Sequence, residues 1–183
     1  MKKIALLLCS LALTSCANVP TSQSEAYSGI SVSFDRFSSM TRIETPLYVS
    51  RKGFTDTFPV ELAYRASVKD GKIINLQLYV LASRPDWGFY NTAIDDTGKR
   101  LDFATIDKEV GTITGSKTYV KNDSVIVKEH FAFNISKDYL TKISNRNIEI
   151  KVYGKRDEGS FVVPSSMSSA FNKKLDEVLM QKN

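Results

Sequence analysis

The chain has 183 residues, a formal net charge of +5 and 25% charged side chains. That length is sufficient for one domain with its own hydrophobic core, and the composition is that of an ordinary globular protein. The positive charge is mild and is not gathered into a basic stripe, which disfavours nucleic acid as a partner. One histidine and two cysteines are too few for the usual zinc sites, which take several such ligands.

The first fifteen residues have the layout of a secretory signal. Lys2 and Lys3 provide a positive start. The apolar run 4–13 that follows is too short to cross a membrane as a mature helix. Small residues then precede a cysteine, which completes the pattern of an export signal that is removed from the mature chain.

The four residues that close the first sixteen, Leu13-Thr14-Ser15-Cys16, resemble the lipobox of bacterial lipoproteins. In that family an aliphatic residue and two small residues precede the cysteine that is acylated. The resemblance implies that residues 1–15 are removed and that Cys16 becomes the first residue of the mature chain. The alternative is an ordinary secretory signal in which the cysteine occurs by coincidence.

The lipoprotein resemblance also implies where the protein is located. Acyl chains on Cys16 would anchor it in a membrane, and at least two chains are needed for a stable anchor. Ala17, rather than an aspartate, follows the cysteine, which in this family favours the outer membrane over the inner; the periplasmic or surface face stays open. Because Cys9 would leave with the signal, the mature domain has no pair of thiols for a disulfide.

Two further segments follow the signal. Residues 16–28 comprise the cysteine and a polar stretch rich in Ser and Thr, which is typical of a flexible tether with a reach of roughly 40 Å when fully extended. Residues 29–183 contain short apolar runs separated by turn residues. This pattern predicts a single β-rich domain.

The best-specified hairpin joins the alternating runs 60–68 and 74–82. A two-residue loop at Asp70 and Gly71 would pair Tyr64 with Gln77 and would place the two apolar stripes on opposite faces. A three-residue loop pairs Tyr64 with Leu76 and aligns the stripes. The sequence therefore predicts a three-residue loop with Gly71 in the left-handed conformation of a β-bulge.

Two more hairpins are predicted downstream. The alternation over 87–94 and the return at Leu101 and Phe103 indicate a second hairpin, with Phe89 facing the core and Tyr90 facing solvent. Residues 107–116 contain two glycines and are predicted to form a loop. A third hairpin is predicted from residues 118–120 and 125–135.

Helices are predicted near the end of the chain. Ser136 is a suitable N-cap for a short helix over 137–143, and strands are expected over 147–153 and 161–163. Residues 164–181 predict an amphipathic helix capped by Ser165 or Ser166. Its apolar positions are Met167, Ala170, Phe171, Leu175, Val178 and Leu179. The whole pattern favours a mainly β fold, an antiparallel β-sandwich with a C-terminal helix, with a β-barrel as the alternative.

Glu129 and His130 are the most unusual polar residues of the predicted strands. Glu129 alternates in register with Val127 and Phe131, so it is expected on the core face. A carboxylate there requires either a structural partner such as Lys or Arg, or a place at the mouth of a ligand cavity. His130 is expected on the solvent face of the same strand, and the pattern favours an exposed histidine over a catalytic one.

Other residues offer weaker candidates. Trp87, Phe89 and Tyr90 could line a sugar or peptide site, with Tyr90 as the better exposed candidate and ordinary packing as the alternative. Five acidic residues at hairpin tips do not match the ligand spacing of a calcium loop. They are Asp95, Asp96, Asp102, Asp107 and Glu109.

Residues 87–175 resemble uncharacterised envelope lipoproteins. Together with the lipobox, this resemblance favours a non-catalytic, membrane-anchored protein that binds a protein partner or an envelope component, without a cofactor or metal. One alternative is a lipid-anchored hydrolase using carboxylates such as Glu129 or Asp102, which would have to lie about 5 to 10 Å apart. Another is a carrier of a hydrophobic ligand.

Overall fold

The computed structural model describes residue 20 and residues 22–50, 58–113 and 124–181. The predicted signal 1–15, the lipidation site Cys16 and the predicted strand 118–120 lie outside these residues. The elements of the described part, in chain order, are α1 (Gln23–Ser28), β1 (Ser31–Asp35), β2 (Met40–Glu44), β3 (Tyr48–Ser50), β4 (Val60–Lys69), β5 (Lys72–Arg84), β6 (Tyr90–Asp95), β7 (Asp102–Ile113), β8 (Ser124–Asn134), α2 (Lys137–Ile143), β9 (Ile148–Gly154), β10 (Glu158–Val163) and α3 (Ser165–Met180).

The strands form two antiparallel sheets, as the sequence predicts. The large sheet has the order β1-β2-β4-β5-β8-β7, with β3 also paired to β4, and the small sheet has the order β10-β9-β6. Within the described residues the large sheet is open at β1 and β7, so the alternative of a closed barrel is wrong. The fold is mainly β and is consistent with a β-sandwich.

The core lies between the two sheets and beneath α2 and α3. Aromatic rings fill much of it: Phe131 contacts Phe133 with ring centroids 5.8 Å apart, and Phe133 stacks on Phe161 of the small sheet at 6.5 Å. Tyr64 of β4 stacks on Phe171 of α3 at 5.1 Å. Burial of each such side chain stabilises the fold by roughly 1.5–3 kcal/mol. These contacts join both sheets and α3 into one core.

The hairpin between β4 and β5 has a shorter loop than the sequence predicts. Lys69 pairs directly with Lys72, so Asp70 and Gly71 alone form the turn. Both have positive φ, 51° and 72°, which is the geometry of a type I′ turn. The left-handed Gly71 is confirmed, but the predicted three-residue loop is wrong.

A bulge inside the hairpin corrects the register that the short loop would impose. Val68 pairs with Ile73, whereas Tyr64 pairs with Leu78, so Ile74 is an extra residue on β5. Ile74 is 59% exposed, although the alternation places it on the core face. The bulge shifts the remaining pairs by one residue, and both apolar stripes consequently face the core, as predicted.

The predicted second hairpin forms only around its turn, where Asp95 N–H donates to the carbonyl of Lys99 and Leu101 N–H donates to that of Ala93, and its two strands then join different sheets. β6 pairs with β9 in the small sheet, and β7 pairs with β8 in the large sheet. One isolated bridge, Ile94 to Arg100, links the two segments. The predicted loop 107–116 is also wrong up to residue 113, because β7 continues through Ile113. The chain therefore crosses from one sheet to the other between β6 and β7.

Both predicted helices at the end of the chain are present. Ser136 caps α2 by accepting a hydrogen bond from the N–H of Tyr139 at 3.1 Å. α3 buries the predicted apolar face, but Pro164 is its N-cap and makes no side-chain cap bond, so the predicted serine cap is wrong. Ser166 instead donates to the carbonyl of Pro20 at 2.8 Å.

The predicted tether does not extend to residue 28. Residues 23–28 form α1, which is capped by Ser22. Ala26 of α1 is fully buried, and the Tyr27 hydroxyl donates to Glu177 of α3. This part of the chain is therefore docked on the domain. None of the helices in the described ranges has the length and apolar character to cross a bilayer.

Candidate functional site

Glu129 lies on the inner face of β8 and is only 3% exposed, as the alternation predicts. Its Oε1 accepts hydrogen bonds from the N–H groups of Gly88 at 2.6 Å and Phe89 at 2.9 Å, and its Oε2 accepts from Tyr90 N–H at 3.3 Å. Lys108 Nζ is 3.9 Å from Oε2. The principal partners of this carboxylate are thus three consecutive backbone donors, with a lysine at longer range.

The first two donors belong to the loop that precedes β6, and Tyr90 is the first residue of β6. Hydrogen bonds to a charged acceptor contribute roughly 1.5–3 kcal/mol each, so Glu129 holds the loop firmly against the sheet. The loop also packs closely on the small sheet: a Cβ at Gly154 would approach the carbonyl oxygen of Gly88 to 2.2 Å. Arg156 N–H donates to the same carbonyl at 3.1 Å.

Phe89 has a backbone conformation that bulky residues rarely adopt. Its φ is +56°, in the left-handed region that costs a residue other than glycine about 1–2 kcal/mol. The N–H of Phe89 is bound by Glu129, and its neighbours on both sides are bound by the same carboxylate. The surrounding contacts therefore maintain a strained residue, which is a recurrent feature of binding sites.

Tyr90 is buried, which corrects the prediction that it is exposed. It is 3% exposed, and its ring lies 5.6 Å from Phe58 and 5.7 Å from Phe131. Its hydroxyl donates to Asp157 Oδ2 at 2.7 Å. Burial, together with this hydrogen bond, raises the pKa of Tyr90, so the hydroxyl stays protonated as a donor. The pairing of β6 with β9 shifts in register between Tyr90 and Thr92, so Tyr90 and Ala93 are both buried although the alternation predicted opposite faces for them.

Trp87 and Phe89 instead form a half-buried surface with two cations. Their ring centroids are 6.3 Å apart. Lys108 Nζ lies 4.6 Å from the Phe89 centroid and 6.0 Å from that of Trp87, and the Arg156 guanidinium carbon lies 5.4 Å from Phe89. We call these four residues the aromatic platform. Such cation–π contacts contribute about 0.5–1 kcal/mol each at exposed sites.

Exposed apolar residues continue the same face of the large sheet. Val110 follows Lys108 at the next position on that face, and it is 69% exposed. Val125, on the same face of β8 as Glu129, is 54% exposed. The platform and these two valines form a surface that is apolar and cationic, which is a combination found in binding sites.

His130 is not the exposed strand residue that the sequence predicts. Only 14% of its side chain is exposed. The Tyr79 hydroxyl and His130 Nδ1 share a hydrogen bond, Nε2 lies 3.6 Å from Glu109 Oε1, and the Arg65 guanidinium stacks 3.8 Å above the Tyr79 ring. Because neighbouring strand residues face opposite sides of a sheet, His130 belongs to the outer face and does not join the platform.

The carboxylates proposed for hydrolysis are not paired. Glu129 faces the core, whereas Asp102 pairs in register with Asn134 and accepts a hydrogen bond from its side chain at 3.0 Å. Asn134 lies five residue steps along β8 from Glu129, which is roughly 17 Å. In the described ranges of the chain, no three His, Cys, Asp or Glu side chains are grouped so that they could hold a metal ion.

The sequence analysis singled out Trp87 and Phe89 for one candidate site and Glu129 for another, and it did not connect Lys108 or Arg156 with either. The signal for Glu129 was its place in an apolar alternation. Lys108 and Arg156 had no local signal, because they come from β7 and from the turn before β10.

No family model, curated protein or solved structure was found to match the chain. The fold and the site define a structural class only: an open two-sheet β domain with an aromatic and cationic surface formed by the loop before β6, by β7 and by the turn before β10.

Proposed function

We propose that the protein is a non-catalytic, lipid-anchored envelope protein that binds an envelope component at the aromatic platform. The observation that carries this proposal is the strained Phe89, held by three hydrogen bonds to the buried Glu129. A loop fixed in this way presents its rings without the entropy loss that ordering a mobile loop on binding requires.

The chemistry of the platform fits an acidic glycan. The faces of sugar rings are apolar and pack on aromatic side chains such as Trp87 and Phe89. Carboxylate groups on the glycan would pair with Lys108 and Arg156, whose charges lie beside the two rings. A protein partner with exposed acidic residues is the second candidate, because Val110 and Val125 add apolar area next to the platform.

The anchoring part of the proposal is supported by Leu13-Thr14-Ser15-Cys16. Lipid on Cys16 would hold the protein in a membrane, with the outer membrane favoured by Ala17. The non-catalytic part is supported by Glu129, whose oxygens already accept three backbone hydrogen bonds, and by its distance from Asp102. The carrier alternative has less support, because aromatic rings fill the space between the sheets.

The platform is tested by binding to a defined polymer. The lipidated protein in detergent is sedimented with isolated peptidoglycan, which carries sugars and carboxylates. We expect Trp87→Ala to weaken binding about tenfold, which corresponds to about 1.4 kcal/mol. Phe37→Ala is the matched control, since Phe37 is a surface ring beside a cation, Arg36, that lies outside the platform. Equal binding by the two variants would contradict the proposed site.

If the platform binds a protein partner rather than a glycan, the same variants should give a different result. A photo-crosslinker at position 110 would then join the protein to one acidic partner in intact cells, and Trp87→Ala would abolish that product. Binding to peptidoglycan would be absent in that case.

Mass spectrometry of the mature protein tests the lipid anchor. The mature protein should begin at Cys16 and carry the added mass of acyl chains, and Cys16→Ser should remove the protein from the membrane fraction. A mature chain without acyl mass would contradict this part of the proposal.

A further inference from the structure

The position of the membrane anchor follows from the way α1 docks. Tyr27 of α1 donates to Glu177, and Lys174 Nζ lies 4.1 Å from the Tyr27 ring centroid. At the other end of the segment, the carbonyl of the buried Pro20 accepts a hydrogen bond from Ser166. These contacts attach the chain to both ends of α3.

Only three residues separate Pro20 from Cys16. The four steps between their Cα atoms span at most about 14 Å, even in a fully extended chain. A lipid on Cys16 would therefore be limited to about 14 Å from Pro20, whose carbonyl is bound by Ser166 at the start of α3. This distance is much shorter than the reach of the tether that the sequence predicts for residues 16–28.

The start of α3 lies at one end of the small sheet. Ser165 N–H donates to the Asn147 side chain at 2.9 Å, just before β9 begins, and Val163 pairs with Ile148. The aromatic platform lies at the opposite end, where Tyr90 pairs with Gly154 and Arg156 N–H donates to Gly88. The seven residues of β9 separate the two ends by about 20 Å.

We infer that α1 orients the domain on the bilayer, with the Asn147 end of the small sheet towards the membrane and the platform away from it. The inference rests on the lipid anchor of the proposed function, and it restricts the ligands that the platform can reach. The platform meets glycan that stands off the bilayer surface rather than headgroups of the membrane in which the protein is anchored. The orienting contacts are those of Tyr27 and Pro20 with α3.

The test measures the depth of two single-cysteine probes. The mature chain has no cysteine other than Cys16, so an added cysteine is labelled uniquely. Asn145→Cys lies at the proposed membrane end, in a surface groove of about 430 Å³ shared with Gln23 and Ser169. Lys155→Cys is exposed beside Arg156 of the platform. Each lipidated variant carries a fluorophore and is placed in vesicles of phosphatidylethanolamine and phosphatidylglycerol with nitroxide-labelled headgroups.

We expect strong quenching of the probe at position 145 and little at position 155. Equal quenching of both probes in protein that remains vesicle-bound would overturn the orientation and leave the anchor intact. Recovery of the protein away from the vesicles would overturn the anchor and the orientation together.

A longer tether provides the matched control. An inserted glycine–serine segment of about twelve residues before Pro20 has a root-mean-square length of about 20 Å. It should remove the difference between the probes without releasing the protein from vesicles. Tyr27→Ala should reduce the difference, while Tyr27→Phe, which keeps the ring beneath Lys174, should reduce it less. Unchanged quenching at position 145 in the insertion variant would overturn the inference.

Discussion

The aromatic platform and the hairpin between β1 and β2 both place a phenylalanine beside an arginine at the surface, but their backbones are held in different ways. Phe37 at the hairpin is 87% exposed, with Arg36 4.8 Å from its ring. Each region has one left-handed residue other than glycine: Ser39 with φ 55° in the hairpin and Phe89 with φ 56° in the platform.

The difference lies in the carboxylate that holds each loop. Asp35 belongs to the hairpin itself and accepts hydrogen bonds from Phe37 N–H at 3.0 Å and Ser38 Oγ at 2.8 Å. Glu129 comes from a strand about 40 residues away and is buried. Water can replace a lost bond at the hairpin, whereas a buried donor without a partner is costly. We therefore regard a surface ring as a candidate for binding when a buried hydrogen-bond acceptor fixes its backbone, as Glu129 does for Phe89.

The largest expected effect tests this contrast directly. Glu129→Ala leaves three backbone N–H groups without their acceptor, and we expect the free energy of unfolding to fall by about 3–5 kcal/mol. Urea denaturation measures the change. Glu109→Ala is the control, because the Glu109 side chain is 52% exposed on the neighbouring strand, and it should have little effect. Similar losses in both variants would break the comparison.

Asp95 is an intermediate case, since it is local like Asp35 and buried like Glu129. Its Oδ1 accepts from the N–H groups of Thr97 and Lys99, and its Oδ2 accepts from the Tyr139 hydroxyl at 2.8 Å. We expect Asp95→Ala to lower the free energy of unfolding at neutral pH by about 2 kcal/mol. An effect as small as that of Asp35→Ala would contradict the role of burial.

The same residue predicts an acid dependence. Burial acts to raise the pKa of Asp95, but the hydrogen bonds from Thr97, Tyr139 and Lys99 outweigh it and lower the pKa. The stabilisation is thus present above the unfolded value of about 3.9 and is lost as pH falls through the lower folded value. Between pH 5 and pH 2, the free energy of unfolding measured by urea denaturation should fall less steeply with pH for Asp95→Asn than for the parent. Equal slopes would show that Asp95 does not contribute.

Two variants of Phe89 allow the strain of its backbone to be measured independently of ligand binding, and the expected effect on stability is smaller. Glycine adopts positive φ without the penalty that alanine pays, so Phe89→Gly should be more stable than Phe89→Ala by about 1 kcal/mol. Both variants lose the ring, and both should bind peptidoglycan weakly. If the two variants unfold at the same urea concentration, Phe89 is not strained.

The smallest expected effect is at the hairpin. Asp35→Ala removes a partly exposed acceptor whose donors can bind water instead, so we expect the thermal unfolding temperature of the variant to stay close to that of the parent. The hydrogen bond from Ser38 is the main cause that lowers the pKa of Asp35, and its contribution is lost in acid. A large drop in unfolding temperature would mean that the hairpin is as strongly specified as the platform.

Local periodicity was enough to predict much of the fold. The alternation of β4, β5 and β8 placed Glu129 with the core residues, and helical spacing predicted α2 and the buried face of α3. Such patterns repeat within a few residues along the chain. The turn at Asp70 shows the limit of this reasoning, because the bulge at Ile74 restored an alignment that loop length alone did not predict.

The sequence by itself thus determined the β class of the domain, its terminal helices and the burial of Glu129. Only the tertiary structure decided which donors Glu129 binds, that β6 and β7 lie in different sheets, and that α1 docks on α3. The platform depends on Trp87, Lys108, Glu129 and Arg156, which meet through contacts between distant segments. A register shift between Tyr90 and Thr92 then placed Tyr90 in the core together with Ala93, because a local irregularity of pairing breaks the alternation on which the sequence prediction relied.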